Sequence, residues 1–127
     1  MRFFMVEVRV VDWPRALGWY RRTLGLAVRL EDVPRQFALL DAGPVVLALK
    51  GGATPGEPRE AARLVFEVED VDAECARILG LGVAVGEPIE GREEGYREVR
   101  FADLDGTPIH LFSWVGPRER PGLYPAG

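Results

Sequence analysis

The sequence predicts an α+β fold assembled from two tandem β-α-β-β-β modules. Three observations predict it: a self-match along the chain, period-two apolar patterning at the head of each matching stretch, and helix-capping signals directly after it. Val8 to Asp12, then an amphipathic segment and Leu24-Gly-Leu26, is matched by Phe66 to Asp70, an amphipathic segment and Leu81-Gly-Val83. Asp12 and Asp70 are offset by 58 residues and Gly25 and Gly82 by 57; Asp41 with Asp103, and Leu49 with Leu111, are both offset by 62. The match therefore runs through two complete halves.

In the first module, about residues 2–50, Phe4, Val6, Val8 and Val10 alternate with Met5, Glu7 and Arg9, the pattern of a strand with one apolar face. Asp12 offers an N-cap and Pro14 falls in the first helical turn, after which Leu17, Tyr20 and Leu24 recur at helical spacing. Gly25 supplies the stop. Three short strands are expected next, at about 27–30, 35–40 and 45–50, the last two divided by the turn residues Asp41-Ala-Gly-Pro44.

Residues 51–61 form a Gly/Pro-rich linker without hydrophobic period. The second module, about 62–115, repeats the order: a strand over 63–68, a cap at Asp70, a helix to about Leu79, then strands near Val83, over 96–102 and over 108–114. A loop from Glu87 to Gly95, rich in Pro, Gly and Glu, is placed to cover what lies beneath it. The tail, 116–127, carries Pro117, Pro121 and Pro125 and reads as irregular, with Leu123 and Tyr124 available for docking. All 127 residues are assigned to a single domain, a length that supports one core without disulfide staples.

Composition narrows the functional classes. Hydrophobic residues make up 47% and charged residues 28%, as in an ordinary globular protein. The longest apolar runs, such as Val45 to Leu49, are far too short for a bilayer, and the opening Met1 to Phe4 lacks the tripartite pattern of a secretory signal. A cytoplasmic location and no membrane partner are expected. The net charge of −4 argues against nucleic acid. Cys75 is the one cysteine and falls on the apolar side of the second helix, so a structural thiol is expected there. Trp13, Trp19 and Trp114 read as packing residues at a helix start, in a helix and at the end of the last strand.

The opening Val10-Val-Asp12 with Trp19-Tyr20-Arg-Arg-Thr-Leu-Gly-Leu26 is similar to the "V-x-D … F-Y … L-G-L" signature of the vicinal oxygen chelate superfamily, which holds glyoxalases, bleomycin-resistance proteins and extradiol dioxygenases. Phe101-Ala-Asp103-Leu-Asp-Gly106-Thr-Pro-Ile-His110-Leu111 resembles its "F-x-D-P-D-G-N-x-x-E-L". The resemblance covers residues 3–115 and implies that the modules form a cavity-enclosing, barrel-like mixed sheet with the helices outside. It also implies that metal-using members draw one ligand from each first strand and each last strand, which here fall on Met5, Ala48, Arg63 and His110. The internal offsets agree, because Met5 plus 58 is Arg63 and Ala48 plus 62 is His110.

Those four side chains give one thioether, one methyl, one guanidinium and one imidazole, a poor set for a divalent ion that wants oxygen or imidazole donors. A guanidinium about 4 Å from a divalent cation is repelled by roughly 8 kcal/mol at an effective dielectric near 20. No metal and no other cofactor are expected. Strand alternation places Met5, Glu7 and Arg9 on one polar face and Arg63, Val65 and Glu67 on its counterpart, where the acids and arginines are expected to pair. The same alternation is equally that of a wet sheet face. Arg9 also falls where the resemblance places a carboxylate-binding arginine of glutathione-dependent isomerases.

Met5, Glu7, Arg9, Ala48, Arg63, Glu67 and His110 are therefore the candidate ligand-binding residues, and His110 is the sole candidate acid/base. The leading reading is a metal-independent binder of a small polar or amphipathic organic molecule, resembling the bleomycin-resistance branch. The alternatives are a glyoxalase-type lyase or isomerase, or a dioxygenase, with a displaced metal site built from Glu7, Glu67 and His110, and an interaction domain with a vestigial cavity. A homodimer is expected, since such a short chain leaves a sheet edge and the segment Leu111 to Val115 for a partner to cover.

Overall fold

A computed structural model describes residues 2–59, 62–91 and 95–115. The described residues divide into two compact units: 2–59 together with 103–107, and 62–91 and 95–102 together with 108–115. The expected irregular tail, 116–127, lies outside the described residues, as do residues 92–94 of the expected covering loop.

In the first unit, β1 (Met5–Val10), β2 (Val28–Asp32), β3 (Phe37–Asp41) and β4 (Val46–Gly51) form a sheet of order β1-β4-β3-β2, with helix α1 (Trp13–Thr23) connecting β1 to β2. β1 runs parallel to β4, and the remaining pairs are antiparallel. The Asp12 side chain accepts from the Arg15 N–H at 3.2 Å, which caps the helix as its sequence requires. Gly25, at φ +67°, turns the chain through the left-handed region just past the helix, where a side chain would be strained. The core forms between the helix and one face of the sheet: Val8, Val10, Ala38, Leu40, Leu47 and Leu49 are buried, as are Trp13, Ala16, Leu17, Trp19, Tyr20 and Thr23. The Trp13 indole N–H also donates to Leu49 O at 3.1 Å.

The turn 103–107 completes this unit. Asp103 Oδ2 accepts the Tyr20 hydroxyl at 2.7 Å, while Oδ1 accepts the backbone N–H groups of Asp105 and Thr107, each at 2.8 Å. Burial first, and then the Asp103 carboxylate, push the Tyr20 phenol far above its usual range, so it remains a donor.

The second unit has β5 (Leu64–Glu67), α2 (Val71–Gly80), β6 (Ile89–Gly91), β7 (Tyr96–Ala102) and β8 (Pro108–Trp114), with sheet order β5-β8-β7-β6. β5 is parallel to β8, as β1 is to β4. Asp70 caps α2 by accepting from the N–H groups of Asp72 and Ala73, and Gly82 takes φ +84° beyond its end. Only Val71 and Ile78 of this helix are buried, and Cys75 is half-buried.

Two expectations change. The sixth strand lies at Ile89–Gly91, within the segment read as a covering loop, and not near Val83. The Val83 N–H bonds to Ile78 O at 3.4 Å, at the end of α2; the Gly86 N–H reaches Arg100 O of β7 at 2.9 Å, but Pro88 has no N–H to offer and the regular ladder with β7 begins at Ile89. Nor does either sheet close into a barrel: each is an open, mixed, four-stranded sheet with two edge strands.

Candidate functional site

The polar chemistry of the second unit gathers on the face of β7 and β8 turned away from α2. The Val71 N–H donates to Ser113 Oγ at 3.1 Å and Arg97 Nε to Asp72 at 3.0 Å, which sets Ser113 and Arg97 on the helix side. Alternation then places Tyr96, Glu98 and Arg100 of β7, and His110, Phe112 and Trp114 of β8, on the opposite side. The ladder pairs Arg100 with His110, Glu98 with Phe112 and Tyr96 with Trp114. β5 adds Val65 beside His110 and Glu67 beside Phe112.

Three of these groups interact directly. Glu98 Oε1 accepts from Arg100 Nε at 2.8 Å and lies 2.6 Å from Nη2. Glu98 Oε2 lies 3.8 Å from His110 Nδ1, too far for a hydrogen bond. Glu98 and His110 side chains are each 10% exposed, whereas Arg100 is half exposed. Burial is the largest influence on His110 and holds its imidazole below its ordinary value; Arg100 and Arg63 act in the same sense, against Glu98. At neutral pH the imidazole is uncharged.

An aromatic ladder continues the same face. The Tyr96 and Phe112 rings stand edge to face at 6.4 Å, and Phe112 and Trp114 at 5.4 Å. Gly91 lies beneath it, where a Cβ would clash with the Tyr96 ring.

The candidate residues fall into two groups. In the first unit, Met5, Glu7 and Arg9 share one face of β1, and Glu7 is the ladder partner of Ala48, whose methyl is fully buried. In the second unit, Glu67 and His110 share the face just described, and Arg63 immediately precedes β5. The equivalence read from the internal repeat reappears in the ladders, since Glu7 pairs with Ala48 as Val65, 58 residues on, pairs with His110, 62 residues on. Within each unit the expected pairing of the arginines with acids is not found: Arg9 Nη2 donates to Gly52 O at 3.2 Å, and neither Arg9 nor the exposed Arg63 forms an ion pair with a described carboxylate of its own unit. A long side chain near a strand end reaches water at little cost, whereas pairing requires both partners to be held.

Glu98, Arg100, Tyr96 and Phe112 were not among the candidates. Their signal was present: folding residues 96–102 back on 108–114 about the turn at Asp103 to Gly106 pairs Arg100 with His110 and Glu98 with Phe112.

The positions that would hold a metal do not fit one. Ala48 has no donor atom, Met5 offers a thioether, Arg63 is cationic, and His110 Nδ1 faces a carboxylate already held by Arg100. Among the described residues no three His, Cys, Asp or Glu side chains come together as a ligand set.

Residues 2–111 match the profile of the Glyoxalase/Bleomycin resistance protein/Dioxygenase superfamily. The chain belongs to that superfamily. A relative, the uncharacterized protein YraH of Bacillus subtilis (strain 168), is 24% identical over 91% of this chain and 100% of its own. TnmS3, an antibiotic binding protein from Streptomyces sp. CB03234, has a structure 26% identical with a TM-score of 0.74, covering 90% of this chain and 96% of that one. A lactoylglutathione lyase from Agrobacterium tumefaciens superposes with a TM-score of 0.70 at 21% identity, over 88% of this chain and 92% of its own, which shows a shared fold. This fold is thus shared with one protein titled a binder and one titled a lyase, and fold alone does not choose between them.

Proposed function

We propose that this protein binds a small amphipathic organic molecule, without a metal ion, on the open face of the β5-β8-β7-β6 sheet. The observation that carries this reading is the hydrogen-bonded Arg100–Glu98 pair and buried, uncharged His110 beside the Tyr96–Phe112–Trp114 ladder. Fixed polar groups at one end of an aromatic surface orient a ligand, while the rings supply most of the contact area. The likeness to an antibiotic binding protein supports the same class. A thermal-shift and NMR screen of metal-free protein tests it: a ligand should perturb the amides of β7 and β8. Tightly bound stoichiometric nickel, zinc, iron or manganese in freshly purified protein would overturn the metal-free part.

The buried His110, the candidate acid/base, favours one rival, a glyoxalase-type isomerase or lyase. Turnover of methylglyoxal hemithioacetal abolished in His110→Ala would establish it. We also propose a homodimer, supported by the exposed Phe3 and Phe4 leading into edge strand β1. Light scattering at micromolar protein should give twice the 14.1 kDa chain mass.

A further inference from the structure

The sheet face of the second unit is electrically uneven along its strands. Counted along the strands, its rows are Pro108 with Ala102, at the end where Arg63 immediately precedes β5, then Val65, His110 and Arg100, then Glu67, Phe112 and Glu98, and last Trp114 and Tyr96. Both arginines thus belong to the end of the first two rows and both carboxylates to the third row. The rings occupy the third and fourth. Glu98 meets Arg100 through one oxygen, Oε1, which engages Nε and Nη2 and leaves Nη1 on the half-exposed side chain. Arg63 is exposed and pairs with no described carboxylate. His110 adds no charge of its own, because burial and the two arginines outweigh Glu98.

We propose that the corner formed by Arg63, Arg100 and His110 receives the carboxylate of an amphipathic organic anion whose apolar part lies toward Phe112, Tyr96 and Trp114. This inference rests on the binding reading above and adds the sign of the ligand's charge. A guanidinium matches a carboxylate in shape as well as charge, since its N–H groups fork toward two oxygens. No acceptor among the described residues meets the Arg63 guanidinium, and Arg100 can turn Nη1 to the ligand while keeping Glu98. An ammonium at this corner would meet two cations and a neutral ring. A neutral amide would keep the ring contacts and lose the charged hydrogen bonds.

The test is a set of matched probes, 2-naphthylacetate, 2-naphthylacetamide and 2-naphthylethylamine, titrated into the metal-free full chain at pH 7.5 and followed by heteronuclear NMR. The carboxylate should perturb the amides of Val65, Arg100 and His110 and bind about tenfold tighter than the amide, a difference of about 1.4 kcal/mol. Added salt should narrow that gap. Arg63→Gln should lower carboxylate affinity about tenfold while leaving amide affinity and the melting temperature unchanged, and Arg63→Lys should restore part of the loss. Equal binding of amide and carboxylate at these resonances, or tightest binding of the amine, would overturn the anion and leave the binding face standing. If no probe perturbs this face, the inference and the binding reading fall together.

Discussion

Helix α1 buries six side chains, Trp13, Ala16, Leu17, Trp19, Tyr20 and Thr23, whereas α2, its counterpart in the repeat, buries two, Val71 and Ile78. Those two occupy the places of Trp13 and Tyr20, each 58 residues on, so the contact geometry was kept while the volume shrank. The open sheet faces differ in the opposite sense. Where the second unit has His110 between Val65 and Arg100, the first has the buried methyl of Ala48 between Glu7 and Leu39. Asp41 and Asp103 diverge too: Asp41 is exposed in an ion pair with Arg29 at 3.0 Å, while Asp103 is buried and accepts three hydrogen bonds. One copy of the module carries more of the packing and the other more of the polar chemistry, as two copies permit once neither must do both.

The sharpest challenge to this contrast is a pair of equivalent truncations. Trp13→Ala removes a buried ring and its bond to Leu49 O and should cost about 3–5 kcal/mol in chemical denaturation, whereas Val71→Ala should cost about 2 kcal/mol. Equal losses would show that the two helices contribute alike. Tyr20→Phe comes next: it leaves Asp103 with its two backbone donors but without the phenol, and should cost about 1–3 kcal/mol with the fold retained. Asp41→Ala, at the matching position, should change the same denaturation midpoint hardly at all.

Smaller effects sharpen the polar side. Glu98→Ala should cost about 1 kcal/mol, because Arg100 is half exposed and recovers water when its partner is removed. A double-mutant cycle with Arg100→Gln should show coupling between the two, and strict additivity would mean that the observed pair contributes nothing. The smallest expected effect is the proton linkage of His110. Its folded value lies below the ordinary 6.5, chiefly through burial, so just under 6.5 the unfolded chain binds the proton more readily than the folded one. This contribution is therefore complete above 6.5 and declines as pH falls from there toward the folded value. Melting curves of parent and His110→Gln between pH 7.5 and 5.5 check the sign: the parent should lose more stability on acidification than the variant.

Much of the scaffold was legible because it is written in local signals. Asp12 and Asp70 cap the helices, Gly25 and Gly82 take the left-handed turns beyond them, and seven of the eight strands lie within a few residues of their apolar runs. The exception, β6, contains Ile89, Glu90 and Gly91 and has no apolar alternation of its own; it is a strand because β7 offers it an edge and because Gly91 admits the Tyr96 ring. The two family motifs, distant in sequence, meet in the Tyr20–Asp103 bond. They signal the fold well and the function poorly because there they hold a turn in place.

By itself the sequence determined the duplicated β-α-β-β-β order and the resemblance to the superfamily, since both follow from residue type and spacing. Only tertiary structure decided which polar side chains act together. Met5, Glu7, Arg9, Ala48, Arg63, Glu67 and His110 could be counted along strands, but a count does not say that Arg63 stays exposed or that Arg9 turns to a backbone carbonyl. Nor does it show that His110 answers chiefly to burial, Glu98 and Arg100. Burial and partnership depend on what crosses from a neighbouring strand, and that neighbour is set by the ladder register, which no single stretch of chain contains.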